Sequence, residues 1–451
     1  MITSVRVENF RAFSNEVHIR FAPITVLIGR NSAGKSSLLK FLLMLQQTLE
    51  GSRDPDKDPF FVTEGDHVRL GRWHDLQNTN AERKQLRYEV KLTTDELPPR
   101  EIQDLWPLLE RGQVVQTLPD AIRIQLDLPR EKGSQSIDCP TDFTISGIVG
   151  YGRTTITGEH SVKAEQAGRN IFSLAEKQLK RVGFLDFSQR GSSIPILLKQ
   201  FAAEQFLQPL RTQFLRIRHL SPVREESENT IQTGSPPPGM VGHRGEYALP
   251  HLVDLLDTRR DGLRAQFLEK HVRAITDVKS FTFRRSGRRM LTEVLGTNAV
   301  TGARTYLSDF GFGVGQILPV MIQGALMNEG ETLIVEQPEA QLHPTAQLDV
   351  GSYFADLWNE FHIPSIIETH SANILLRLRR LVSERKLDPS DVAVAYFTTD
   401  KALDQREEGI ANVFVRNLDI QANGAMRKGL PMEFFGADIL EGLKLGRREE
   451  G

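Results

Sequence analysis

The sequence predicts an α/β fold with a mixed central sheet, antiparallel strands at the N-terminus and an inserted helical lobe. Three observations predict it. The apolar run ITVLI at 24–28 breaks at Gly29 and gives way to KSSLLKFLLMLQQTL at 35–49, which has the broad apolar face of a helix. Far downstream, residues 317–326, 332–336, 345–358 and 363–369 read as helix, strand, helix and strand. Between these two regions, 161–179 and 196–210 carry helix formers, so a lobe interrupts the α/β order.

Each element has a local reason. Alternation at Ile2, Val5 and Val7, then VHIRF, predicts an edge hairpin ahead of a buried central strand at 24–28. Residues 84–94 and 121–128 alternate as strands, and GIVGYGRTTITG at 147–158 reads as a hairpin. Pro195 suits the first turn of the helix that follows it. SPPPGMVGHRGE at 235–246 is a loop by composition, and 252–272 reads as helix. TLIVE at 332–336 is a short buried strand.

The 451 residues suffice for two or three domains, and 39% apolar with 25% charged residues supports a sizeable core. The net charge of -2 argues against a histone-like coat for nucleic acid but leaves room for a local basic patch. Cys139, the single cysteine, excludes an internal disulfide and any thiolate-cluster metal site. No run approaches the 18–20 apolar residues of a membrane span, and MITSVRVENFRAF lacks the apolar centre of a secretory signal. A cytoplasmic protein with no membrane partner is expected.

Four segments carry chemistry. Gly29, Arg30, Asn31, Ser32, Ala33, Gly34, Lys35 and Ser36 spell GxxxxGKS between an apolar strand and a helix. Successive backbone N–H groups of such a loop wrap phosphate oxygens, and the helix start adds its dipole. Lys35 is the cation for the β- and γ-phosphates of ATP, and Ser36 the hydroxyl ligand of Mg²⁺, with Ser37 beside it at the nucleotide. Glu336 ends a buried strand, where a carboxylate is costly unless paired or bound to a cation, so it is the candidate Mg²⁺-side acid, approaching from the neighbouring strand. His370, in IIETHS, ends another strand and can donate to a γ-phosphate or orient a water. Gly313, Gly315 and Gln316, in DFGFGVGQ, precede a helix and form a second anion cradle. Two cradles for one nucleotide suggest a head-to-tail dimer, each ATP lying between the loop of one subunit and the glycine segment of the other.

Together these segments resemble the ABC-type ATPases of the RecF/SMC/OLD-like group, and more closely the bacterial AAA-family ATPases with a C-terminal DUF3696 segment. ENFRAF at 8–13 resembles that group's opening, GRNSAGKS its Walker A, GFGVGQILPV at 311–320 its signature segment, EQPEAQLHP at 336–344 its Walker B and D-loop, and ETHS at 368–371 its switch histidine. LPMEFFGADI at 430–439 resembles the closing motif of the DUF3696 segment, while the middle is matched only at SPVREE, 221–226, and GHRGEY, 242–247. The resemblance implies an ABC-type P-loop NTPase head: 1–155 its first part with Walker A, 156–300 the inserted helical lobe and linking region, 301–390 its second part, and 391–451 a DUF3696-like segment. It also implies ATP-driven dimerisation, or a higher homo-oligomer, and Mg²⁺-dependent hydrolysis. Relatives act on DNA, or serve as sensor ATPases beside an effector such as a nuclease, often in bacterial defence.

One departure bears on mechanism. Many such heads place a second carboxylate after the Walker B acid, whereas this chain has Gln337, and an amide cannot take a proton from water. Either Glu339, or His370 with Glu368, takes over as base, or turnover is slow and ATP chiefly holds a closed dimer. DNA contact by Arg284, Arg285, Arg288 and Arg289, or by Arg377, Arg379, Arg380, Arg385 and Lys386, remains open. So do solvated, nucleotide-facing or partner-facing roles for Arg224 and Arg244, and solvated, nucleotide-facing or opposite-subunit roles for Arg30. A switch controlling a nucleic-acid-directed or defence effector therefore stands beside two alternatives, a DNA-binding repair ATPase and a nucleotide-gated scaffold with negligible turnover.

Overall fold

The computed structural model describes residues 1–50, 62–81, 87–92, 121–125, 143–151, 154–162, 212–225, 229–232, 237, 239–257, 262–286, 291–399 and 412–427. The fold is mixed α/β, as the sequence predicts. The chain divides into two compact units, one comprising Met1–Phe21, Asn31–Arg216 and Phe397–Arg416, the other Ala22–Arg30, Ile217–Tyr396 and Asn417–Gly451.

In the first unit, β1 (Ile2–Glu8) pairs antiparallel with β2 (Val17–Arg20), placing Val5 opposite Ile19. The strand β3 (Ile24–Gly29) belongs to the second unit, and helix α1 (Lys35–Glu50) to the first. A short helix α2 (Trp73–Leu76) precedes strands β4 (Arg87–Leu92), β5 (Ala121–Gln125), β6 (Phe143–Tyr151) and β7 (Thr154–Val162). These strands form one antiparallel sheet in the order β2-β1-β4-β5-β6-β7. The predicted edge hairpin is thus half right: β2 is an edge, but β1 is interior because β4 pairs with its other side, Val5 facing Val90. Helix α1 buries Leu38, Leu39, Phe41, Leu42 and Leu45, with Phe41 edge-on to Phe10 at 5.4 Å and to Tyr88 at 5.3 Å. The β6–β7 hairpin runs out to Phe143 opposite Val162. Ser161 and Val162 are therefore strand where the sequence suggested a helix start, because the ladder carries the hairpin beyond its apolar centre. The rest of the predicted helices between 163 and 210 lies outside the described residues.

The second unit is built on a sheet in which β3 is central. Its elements are β8 (Ile217–Leu220), β9 (Thr230–Gln232), α3 (Ala248–Asp257), α4 (Gly262–Ile275), β10 (Val278–Ser286), β11 (Leu291–Asn298) and β12 (Arg304–Tyr306). They continue with α5 (Phe312–Leu326), β13 (Thr332–Glu336), α6 (Pro344–Phe361), β14 (Ser365–Glu368) and α7 (Ala372–Ser383), followed by β15 (Val392–Thr399) and β16 (Val413–Leu418), which straddle the division between the units. The sheet order is β16-β15-β3-β14-β13-β8, and β3, β14, β13 and β8 run parallel. Val26, Ile28, Leu333, Val335 and Ile367 from these strands share a core with Leu318 and Met321 of α5 and Tyr353 and Phe354 of α6. A smaller antiparallel sheet, β10-β11-β12, takes β9 on β11.

Two details correct the sequence reading. First, Glu336 is not on the strand beside β3: β14 lies between, with Glu336 opposite Glu368 and Glu368 opposite Leu27. Two parallel apolar strands carry no mark of lateral order, since crossovers allow either. Second, α5 begins at Phe312, five residues before the apolar run, so Gly313, Gly315 and Gln316 lie inside the helix. Glycine weakens helix propensity and hid this turn. It is tolerated here because a Cβ at Gly313 would lie 2.7 Å from the Gln341 carbonyl oxygen.

Candidate nucleotide site

Parallel strands bring their C-terminal ends to one edge, where an α/β sheet presents ligand-binding loops. At the end of β3 the chain enters the phosphate-loop motif. Gly29 and Arg30 close the segment in the second unit, while Asn31, Ser32, Ala33, Gly34, Lys35, Ser36 and Ser37 belong to the first. Ser32 (φ 61°) and Gly34 (φ 94°) are left-handed, which curls the loop before α1. A side chain at Gly34 would be strained and would meet Phe13 Cε1 at 2.8 Å. The Gly34 carbonyl accepts from Ser37 N at 3.0 Å and Leu38 N at 3.2 Å, starting the helix. Arg30, Asn31 and Ser32 are exposed, whereas Ala33, Gly34 and Lys35 are buried.

Strand β13 ends in Glu336, whose Oε1 lies 2.9 Å from His219 Nε2 on β8. A carboxylate can only accept, so Nε2 donates. His219 Nδ1 is buried without a partner among the described residues. The next residue, Gln337, adopts φ 47°, and its N–H donates to the Glu368 carbonyl at 2.7 Å. This left-handed residue turns the chain off the strand end at once. Glu339 then folds back under burial, and its Oε1 accepts from the His370 N–H at 2.8 Å. Burial pushes the Glu339 carboxyl above the usual range, against the opposing N–H donors of His370 and Ser371. The rest of His370 is exposed, and Ser371 caps α7 through its hydroxyl, which accepts from Asn373 N at 3.1 Å. The ends of β13 and β14 are thus joined by two bonds, Gln337 N–H to the Glu368 carbonyl and His370 N–H to the Glu339 carboxylate, and the Glu368 side chain is buried.

Arg224 was open to a solvated reading and is instead 3% exposed. Its Nη2 donates to the Glu336 carbonyl oxygen at 2.7 Å. Burial lowers its pKa to about 10, with Glu339 and Glu336 pulling it back up, so it stays a cation at neutral pH. Gln316 is also buried, its carboxamide against the Arg224 backbone. Sequence reasoning missed His219 entirely. Its position opposite Ile334 depends on β8 pairing with β13, two strands more than a hundred residues apart, and no local pattern reports such a pairing.

The basic clusters are largely engaged within the chain. Arg285 pairs with Asp257, Arg377 Nε donates to Ser352 Oγ, Arg379 Nε to the Gly424 carbonyl, and Arg380 and Lys386 both reach Glu384. Arg288, Arg289 and the 430–439 motif lie outside the described residues. Among the described residues no cluster of three or more His, Cys, Asp or Glu is placed to hold a metal, and no helix is long and apolar enough to cross a membrane.

Gly29 closes β3, and Glu336 closes β13 two strands away in the same sheet. The family model of an AAA ATPase domain matches residues 1–97. No curated protein sequence matches the chain. The chain is similar to an SMC head domain from Thermotoga maritima at 10% identity and TM-score 0.37, over 92% of this chain and 98% of that one. It is also similar to an SMC head bound to the C-terminal winged-helix domain of ScpA, at 10% identity and TM-score 0.41, over 93% and 98%. A third is an Smc head with an extended coiled coil, bound to a ScpA C-terminal domain derived from Pyrococcus furiosus, at 9% identity and TM-score 0.38, over 93% and 96%. At such scores these likenesses carry no weight for function.

Proposed function

We propose that the chain hydrolyses Mg·ATP slowly and works as a nucleotide-driven dimeric switch for a nucleic-acid-directed or defence effector such as a nuclease. The observation that carries the hydrolytic part is the complete GxxxxGKS motif at a strand–loop–helix junction, with the loop curled at Ser32 and Gly34. Lys35 is assigned to the β- and γ-phosphates, and the backbone of 29–36 to the phosphate oxygens. Ser36 and Glu336 supply oxygen donors, the chemistry that suits a hard cation keeping most of its ligands as water and phosphate. A Mg²⁺ held by these two residues would supply charge neutralisation at the phosphate oxygens.

Gln337 cannot serve as base, and of the two alternatives, Glu339 or His370 with Glu368, we assign the role to Glu339. Burial raises its pKa, which makes its carboxylate a stronger proton acceptor than an ordinary glutamate. His370, exposed beside it, is assigned to the γ-phosphate or the attacking water. Gly313, Gly315 and Gln316 open α5, and Phe312 at its start is 60% exposed. A cavity of about 520 Å³ beside it is lined by Val223, Arg224, Arg244, Phe312, Gln316 and Gln341. An exposed phenylalanine at a glycine-rich helix start supports a face that meets a second copy head to tail.

The test is steady-state phosphate release with Mg·ATP. E336Q is expected to lower it on the order of 100-fold and E339Q at least about tenfold. Wild-type rates in both variants contradict this assignment of carboxylates. ATP-dependent dimerisation with no phosphate release favours the scaffold alternative, and ATP-dependent, salt-sensitive DNA binding the repair alternative.

A further inference from the structure

The segment after β8 touches Glu336 twice. His219 meets its carboxylate, and Arg224 meets its backbone carbonyl at 2.7 Å. Arg224 also reaches α5. Its backbone N lies 3.4 Å from Gln316 Oε1, and its carbonyl oxygen 3.5 Å from Gln316 Nε2. One carboxamide thus faces both backbone groups of one residue, at the long limit of hydrogen bonding. The bond to Glu336 is short and charge-assisted.

A neutral donor could hold that carbonyl as well. An arginine is an expensive choice at 3% exposure, because Nε and Nη1 have no partner among the described residues. The nearby charges are the carboxylates of Glu336 and Glu339. A buried cation tied by one bond, with two donors uncommitted among the described residues, has the means to change partners.

Resting on the ATPase reading above, we propose that Arg224 is a positioning residue that joins the glycine-rich start of α5, through Gln316, to the acidic end of β13 at Glu336. A displacement of Phe312, Gly313 or Gly315 by a ligand or a second copy then reaches Glu336 through one buried side chain. Arg224 touches no reacting atom; it sets where the strand end sits.

The test uses the full chain and the variants R224A, R224K, Q316A and R224A/Q316A. Amide hydrogen exchange is compared with and without Mg·ATP, beside phosphate release and melting temperature. In the wild type, ATP is expected to alter exchange at 312–318 and 337–341 together. In R224A and Q316A the response at 337–341 is lost. R224A lowers kcat about tenfold with KM within about threefold, as expected for a residue acting on the transition state rather than on binding. The double variant falls no further than R224A, within about twofold, because both cuts sever one path. R224K, which keeps the charge and one donor, recovers most of kcat. If R224A does not fold, Q316A and R224K carry the same comparison. Multiplying losses in the double variant, or an intact response at 337–341 in R224A, overturn the link. Coupled exchange without phosphate release contradicts hydrolysis and leaves the link standing. No response at either segment in the wild type overturns both.

Discussion

His219 sets the fate of Glu336. Its Nε2 donates to one carboxylate oxygen, and under the proposed function the other oxygen would serve the cation, with His219 an outer partner of the kind that orients metal ligands. H219A is expected to raise the Mg²⁺ concentration for half-maximal phosphate release about tenfold or more, whereas added Mg²⁺ does not rescue E336Q. An unchanged Mg²⁺ requirement would remove His219 from the site. Glu339 gives a second prediction. Its pKa is raised by burial, so the native state favours the protonated acid. The sign follows: as pH rises above the unfolded pKa, the native state is penalised, and the penalty becomes constant once pH passes the folded value. Activity runs the other way, because a base must be ionised. Phosphate release should fall as pH drops through an acid limb above the ordinary glutamate range, and E339Q should lose that limb. A pH–rate profile of both proteins checks it, and an identical limb in E339Q assigns the base elsewhere.

At the scale of elements, two glycines hold the geometry by the absence of a side chain. Gly34 needs φ 94° and has Phe13 against it, while Gly313 lets α5 approach the Gln341 carbonyl. Gly34→Ala should abolish nucleotide binding and lower stability by about 1–3 kcal/mol, and Gly313→Ala should cost a similar amount, both read from thermal melts. A Gly34→Ala protein that melts and binds ATP as wild type does would mean the loop is not held in the curl described. The same elements show what the sequence could reveal. The strands at 24–28 and 332–336 and the helices at 35–49 and 345–358 announce themselves by apolar periodicity, which is local. The phosphate motif is legible because all its parts lie within eight residues. Lateral order was not legible: β14 separates β13 from β3, and nothing in three apolar runs encodes which is flanked by which. The burial of Arg224 was hidden for the same reason. Its loop reads polar, and only the pairing of β8 with β13 carries it beneath Glu336.

For the whole molecule, the proposed function is that of an ATPase whose output is a change of assembly. The exposed Phe312 beside the glycine segment predicts that F312D weakens ATP-dependent self-association, checked by mass in solution with ATP, ADP and no nucleotide. Self-association equal to wild type would place the contact on another face. Basic side chains already engaged, such as Arg377 and Arg380, predict that reversing their charge affects melting temperature more than DNA binding. Under the proposed function the 29–36 loop holds Mg·ATP and Glu336 is needed to cleave it. The most direct test is nucleotide binding and phosphate release by wild type, K35A and E336Q, measured side by side. The account predicts loss of binding in K35A, and retained binding with lost cleavage in E336Q. Folded wild-type protein that fails to retain Mg·ATP at millimolar concentration, or E336Q that cleaves at the wild-type rate, would contradict it.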